Sequence, residues 1–274
     1  MSSQQSPKQT KDQRREAARA QAEKLRQQQD SREKRSRNIL MIVLGAIVVL
    51  VIGVGFVIFQ QSQKTLLDAF EGSAPSTSDN HGGIPAGETG AAGAVDADAP
   101  VLQVYIDFMC PYCGDFEAAN QGDLEELRAS GDLTVTYQIM SNLDELSQGT
   151  QYSTRAANAA ATVANDAPEQ FVAFVEAMFA NQPEEQTTGL TDEQIAQIAV
   201  DAGVPQAVAD TFVDGTYTEW VGVATRQAQR EGVRGTPTVE LDGDRVPQDV
   251  QIYTQGALKT WLADNGVGET AVSE

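Results

Sequence analysis

Cys110 and Cys113 are the only cysteines in this chain of 274 residues, and only Pro111 and Tyr112 separate them. Two thiols at this spacing can attack and resolve a disulfide in turn. The first would sit among the unpaired N–H groups of a helix N-terminus, which favour a thiolate, and the second one turn further on. Pro111 suits the first helical position, where its missing donor costs nothing. Other chemistries fail on ligand count. A structural zinc site needs four ligands, and the chain offers two cysteines and one histidine. A covalent haem needs His directly after the second cysteine, and Gly114 stands there. No metal and no cofactor is therefore expected. A working disulfide also points to a compartment outside the cytoplasm.

The elements that must hold the pair are readable on either side. "VLQVYIDFM" (101–109) is a short apolar run and reads as a buried strand. Residues 110–130 read as a helix with Phe116, Leu124 and Leu127 near one face, closed by Gly131. "LTVTYQIM" (133–140) alternates as a strand does, with Leu133, Val135, Tyr137 and Ile139 to one side. From about 145 to 231 the pattern is helical. One segment there opens on Thr191 and Gln194 at capping-box spacing, and the last puts Tyr217, Trp220, Ala224 and Ala228 on one face. Asp242-Gly243 predicts a hairpin turn. A final helix over 254–266 turns Leu258, Trp261 and Leu262 inward.

Three segments precede this body. Residues 1–38 carry eleven Lys and Arg against five Asp and Glu, a net +6, and lack an apolar stripe. They read as a disordered or loosely helical basic tail. Residues 39–59, "ILMIVLGAIVVLVIGVGFVIF", are free of charge. At 1.5 Å per residue this run reaches about 31 Å, the thickness of a hydrocarbon core, and predicts a single transmembrane helix that stays uncleaved. Arg32, Lys34, Arg35 and Arg37 lie just before it, which predicts a cytoplasmic N-terminus and an extracytoplasmic body. Residues 60–95, rich in Gly, Ala, Ser, Pro and Asp, read as a flexible tether. "GIPAG" (83–87) is a candidate edge strand within it, and His81 an exposed loop residue. The total charge is −20, so the part after the tail carries about −26. That argues against nucleic acid, whose phosphates need clustered Lys and Arg.

The runs "YIDFMCPYCGDFE" and, some 120 residues later, "GVRGTPTVELDG" resemble the DsbA family of thiol-disulfide oxidoreductases. The resemblance covers roughly residues 96–270. It implies an α/β thioredoxin fold with an inserted helical domain at about 145–215. It also implies Cys110 as the exposed nucleophile, Cys113 as its buried partner, and Pro111 and Tyr112 as the pair that tunes them. Thr236-Pro237 matches the family's cis-proline loop, which lies against the disulfide and meets the substrate chain. One departure stands out. Many relatives keep a buried acid six residues before the first cysteine, where this chain has Val104. The nearest acids are Asp107 and Glu117, expected as solvated or structural groups, with Glu117 the possible substitute.

The implied function is a membrane-tethered extracytoplasmic oxidoreductase that gives disulfides to exported proteins with cysteine thiols. A membrane reoxidase of the quinone-linked type would restore it. The alternatives are an exported reductase or isomerase, or a non-catalytic thioredoxin-fold binding module. C-P-Y-C is also a glutaredoxin motif, but the helical insertion and the exterior location stand against that reading.

Overall fold

The computed structural model describes residues 11–62 and 64–268. Residues 1–10 of the tail, Gln63 of the expected tether and residues 269–270 of the expected domain lie outside the described residues. The chain divides into two compact units, one up to Lys64 and one from Thr65.

The first unit is one helix, α1 (Lys11–Ser62). The basic segment 11–38, expected as disordered or loosely helical, is helical throughout. Its Gln, Glu, Lys, Arg and Ala are good helix formers, which suffices without an apolar stripe. Among the residues with described side chains, which within the apolar run are 40–55, no helix is long and apolar enough to cross a membrane.

The second unit is built on a five-stranded sheet. Its strands are β1 (Ile84–Ala86), β2 (Val101–Ile106), β3 (Thr134–Ile139), β4 (Thr238–Leu241) and β5 (Asp244–Arg245), in spatial order β1-β3-β2-β4-β5. β2 and β3 run parallel, joined by the crossover helix α2 (Pro111–Ala129), and every other pairing is antiparallel. Val104 of β2 lies opposite both Tyr137 and Val239, at the centre of the sheet. Between β3 and β4 come α3 (Tyr152–Asp166), α4 (Phe171–Ala180), α5 (Asp192–Asp201), α6 (Gln206–Ala209) and α7 (Thr218–Arg230), and α8 (Ala257–Asp264) ends the fold. The capping box forms at Thr191 and Gln194. Asp242 and Gly243 both take positive φ in the β4–β5 turn, as a tight hairpin requires.

The tether is a correction. Residues 65–95 form part of the body and contribute Ile84, Ala86 and Ala92 to its core, with Leu67 and Phe70 packed alongside. The reason lies in β3. Its residues alternate between apolar and polar, yet all six are buried. Opposite faces of a strand take alternate residues, so both faces of β3 are covered. The amide of Gln138 donates to the carbonyls of His81 and Ala224. Asp96 N–H donates to Thr134 Oγ1. "GIPAG" supplies β1 on the edge of β3. A Gly- and Pro-rich composition here encodes tight turns over a sheet rather than slack chain. Gly82 shows it: φ is +92°, and a Cβ would strike Ala224. His81 is half-exposed and bonds Glu231 through Nδ1 at 2.5 Å.

Candidate active site

β2 ends at Ile106, and a buried turn of Asp107, Phe108 and Met109 delivers Cys110 to the start of α2. Cys110 is the N-cap, with extended backbone (φ −78°, ψ 113°), and Pro111 opens the helix. Phe116, Leu124 and Leu127 anchor α2 in the core, so its N-terminus is fixed by the far end of the same helix. Pro111 and Tyr112 are exposed and Cys113 is fully buried; Cys110, expected as exposed, is itself only 5% exposed, because the Thr236-Pro237 loop lies against its sulfur. Both cysteines are free thiols.

Position makes the two sulfurs unlike. The Cys113 thiol beside it lowers the pKa of Cys110 to about 6, with help from the Thr236 side chain and the N–H groups of Cys113 and Tyr112, and against the effect of burial. Burial pushes the Cys113 thiol well above its ordinary value, and Cys110 adds to this. A thiolate at the mouth and a protonated thiol behind it are what an attacking and a resolving cysteine require.

Neither acid is solvated, which corrects that half of the expectation. Asp107 is completely buried. Its carboxylate accepts from Met109 N (2.9 Å), Leu143 N (3.0 Å) and Ser153 Oγ (2.7 Å). Burial pushes it up to about 6 although these bonds favour its charged form. It is a structural acid that ties the turn before Cys110 to the start of the helical insertion. Glu117 is also buried, one helical turn beyond Cys113, and burial followed by the nearby Glu176 pushes its carboxyl up to about 7. Val104 is buried in the sheet and supplies no acid there.

The antiparallel pairing of β2 with β4 carries the loop before β4 to the cysteines. Tyr105 lies opposite Thr238, and the Thr236–Pro237 bond just before it is cis. The Cys110 thiol donates to Thr236 O at 3.2 Å. Beyond Pro237 a groove of about 330 Å³ is lined by Val239, Val246, Val250, Ile252 and Tyr253 among others. Tyr253 also meets Tyr112 in a tilted ring pair, centroids 6.1 Å apart. The two tyrosines thus join the redox pair to the groove.

All eight residues singled out in the sequence therefore gather around the start of α2, with Glu117 one turn deeper. Sequence reasoning missed Leu143, Ser153 and Gln182. The side-chain amide of Gln182 donates to Phe108 O and Cys110 O. Each lies more than 30 residues from Cys110, in or beside the insertion, and nothing local marks it. Among the described residues no cluster of side chains suits a metal ion.

Comparison with known proteins agrees with this geometry. The family described as Thioredoxin matches residues 87–259. The structure resembles MdbA, a thiol-disulfide oxidoreductase from Actinomyces oris, with a TM-score of 0.60 and 26% identity over 72% of this chain and 94% of that one. It also resembles reduced DsbA from Mycobacterium tuberculosis, with a TM-score of 0.57 and 26% identity over 70% of this chain and 94% of the other. A stretch of 114 residues is 32% identical to the serine/threonine-protein kinase PknE of Mycobacterium tuberculosis, covering 39% of this chain and 20% of the kinase. This chain thus matches about a fifth of the length of those curated relatives. The chain belongs to the thioredoxin family, with the DsbA-like α/β fold of thiol-disulfide oxidoreductases.

Proposed function

We propose that this thiol-disulfide oxidoreductase is held at the outer face of a membrane by residues 39–59 and passes its Cys110–Cys113 disulfide to exported proteins. The observation that carries the direction is the inequality of the two sulfurs. A substrate thiolate attacks Cys110 Sγ, the Cys110–Cys113 bond breaks, and Cys113 leaves and takes up a proton. The second substrate thiolate then attacks the substrate sulfur of the mixed disulfide and expels Cys110 as a thiolate. The substrate loses two electrons and two protons. The enzyme keeps both electrons as one thiol and one thiolate, and the other proton goes to solvent. A leaving group with a lowered pKa departs faster and leaves the reduced enzyme stabilised, and Cys110 is lowered to about 6. The groove beside Pro237 and the exposed Tyr112 give a substrate chain a place to lie.

The anchor reading rests on the uncharged run 39–59 and the basic residues before it. The side chains of residues 40–55 are all exposed within their unit, an apolar surface that calls for cover. Anchoring would keep the dithiol close to emerging chains and to a quinone-linked membrane reoxidase that removes its two electrons. The test is the reduction potential of the full-length protein in detergent, equilibrated against glutathione. A value of about −120 to −180 mV supports disulfide donation, and a value of about −270 mV makes the protein a reductase.

A further inference from the structure

One side chain of the helical insertion grips the redox turn. Gln182 lies two residues beyond the end of α4. Its Nε2 donates to Cys110 O at 2.8 Å and to Phe108 O at 3.0 Å, which commits both of its hydrogens to a turn more than seventy residues away. Its Oε1 faces Gly114, and a Cβ on that glycine would overlap it. The fold of α4 does not need this arrangement. The α4 C-terminus is closed by backbone bonds from Asn181 N to Ala177 O and from Gln182 N to Phe179 O. Phe179 contributes the apolar half of the contact, its ring 5.0 Å from that of Phe108.

The carbonyl that Gln182 holds is not an ordinary one. Cys110 O also accepts from Cys113 N at 2.9 Å and from Gly114 N at 3.3 Å, the first bonds of α2. The carbonyl and the sulfur of Cys110 hang from the same Cα. A swing of the peptide plane about ψ therefore re-aims Sγ relative to the N–H groups of Tyr112 and Cys113. Phe108 O, held by the same amide, fixes the other end of the turn.

We propose that Gln182 is a positioning residue of the redox centre, holding the N-cap peptide so that Cys110 Sγ faces the helix N–H groups and so coupling the insertion to the reactivity of the nucleophile. The inference rests on the reading of Cys110 as that nucleophile. Its test is the pH titration of thiolate ultraviolet absorbance and of alkylation rate in the reduced full-length chain. The wild-type midpoint is expected near pH 6. Gln182→Met keeps the length and removes both donors, and its midpoint is expected to rise by about 0.5–1 unit, three- to tenfold less thiolate below the midpoint. Gln182→Glu turns acceptors toward two carbonyls and is expected to move the midpoint at least as far. Phe179→Leu weakens the same contact without touching the amide, and should lower the melting temperature with the midpoint unmoved. A Gln182→Met protein that melts earlier but keeps the wild-type midpoint overturns the inference alone. A wild-type midpoint near the ordinary thiol value of 9.0 overturns the nucleophile reading as well.

Discussion

The sulfur of Cys110 and the carbonyl oxygen of Thr236 stand 3.2 Å apart, across 126 residues of sequence. The contact exists because β4 pairs with β2, so that the bend before β4 lies beside the turn after β2. It puts a backbone acceptor and the groove next to the reactive sulfur. On the proposed function, a substrate cysteine attacking Cys110 would arrive along the Thr236-Pro237 loop.

Cys113→Ala should abolish disulfide donation, because no Cys110–Cys113 bond can form to take the substrate's two electrons; offered a protein that already carries a disulfide, its Cys110 should attack one sulfur, release the other as a thiol and form a mixed disulfide that no neighbouring thiol resolves. Reductant-sensitive adducts on a non-reducing gel check this. Cys110→Ala should give none, since Cys113 is fully buried.

The contribution of Cys110 to the stability of the reduced protein should rise with pH between about 6 and 9. Cys110 has a folded pKa of about 6 against an ordinary value of 9.0. Its thiolate therefore favours the fold fully above 9, and this contribution is lost as pH falls through 6. Denaturant midpoints of wild type and Cys110→Ala, at pH 5.5 and 8.5, measure it as the change in their difference. Equal differences at the two pH values would show that the thiolate has no such support.

Glu117 should act with the opposite sign. Its folded pKa is raised from 4.5 to about 7, so its charged form is disfavoured in the fold, and stability falls as pH rises through that window. Glu117→Gln should match wild type near pH 4 and exceed it at pH 8 by up to about 3 kcal/mol. Thermal melts at the two pH values check it.

Tyr253→Ala should slow turnover of protein substrates severalfold through KM and leave reaction with a small dithiol nearly unchanged. Tyr253 lines the groove and meets Tyr112 ring to ring at a tilt, but accepts no bond from either thiol. Paired kinetics with a reduced protein and with dithiothreitol decide it.

A chain begun at residue 96 should be much less stable than one begun at residue 65. The shorter chain loses β1 and the buried Ile84, Ala86 and Ala92. Ile84 alone is worth about 1.5–3 kcal/mol, and β3 is left with an open edge. Denaturant midpoints and aggregation of the two proteins make the comparison.

Much of this was legible because the signals are local. A helix N-terminus needs a cap and tolerates Pro, so C-P-Y-C after an apolar strand located the redox turn. Asp242-Gly243 fixed the hairpin, Thr191 and Gln194 fixed a helix start, and the 3.6-residue spacing of Trp220, Ala224 and Ala228 fixed a buried face. Composition misled where it was asked about contacts. Residues 65–95 look like slack chain until the polar face of β3 is seen to need cover, and only the sheet supplies that need. Asp107 and Glu117 carry no sequence mark of burial, because a carboxyl's environment is made by the elements packed on it.

The sequence by itself determined that two thiols would share one helix turn, that no other thiol or second histidine could compete, and that an uncharged run precedes the body. Residue type and near-neighbour spacing are enough for such statements. Only the tertiary structure decided that both sulfurs are buried yet unlike, that Asp107 and Glu117 are buried beside them, and that Gln182 holds the Cys110 carbonyl. These are consequences of strand pairing and helix packing across 70 to 130 residues, where chain connectivity imposes no spacing and the burial of the whole core sets the geometry.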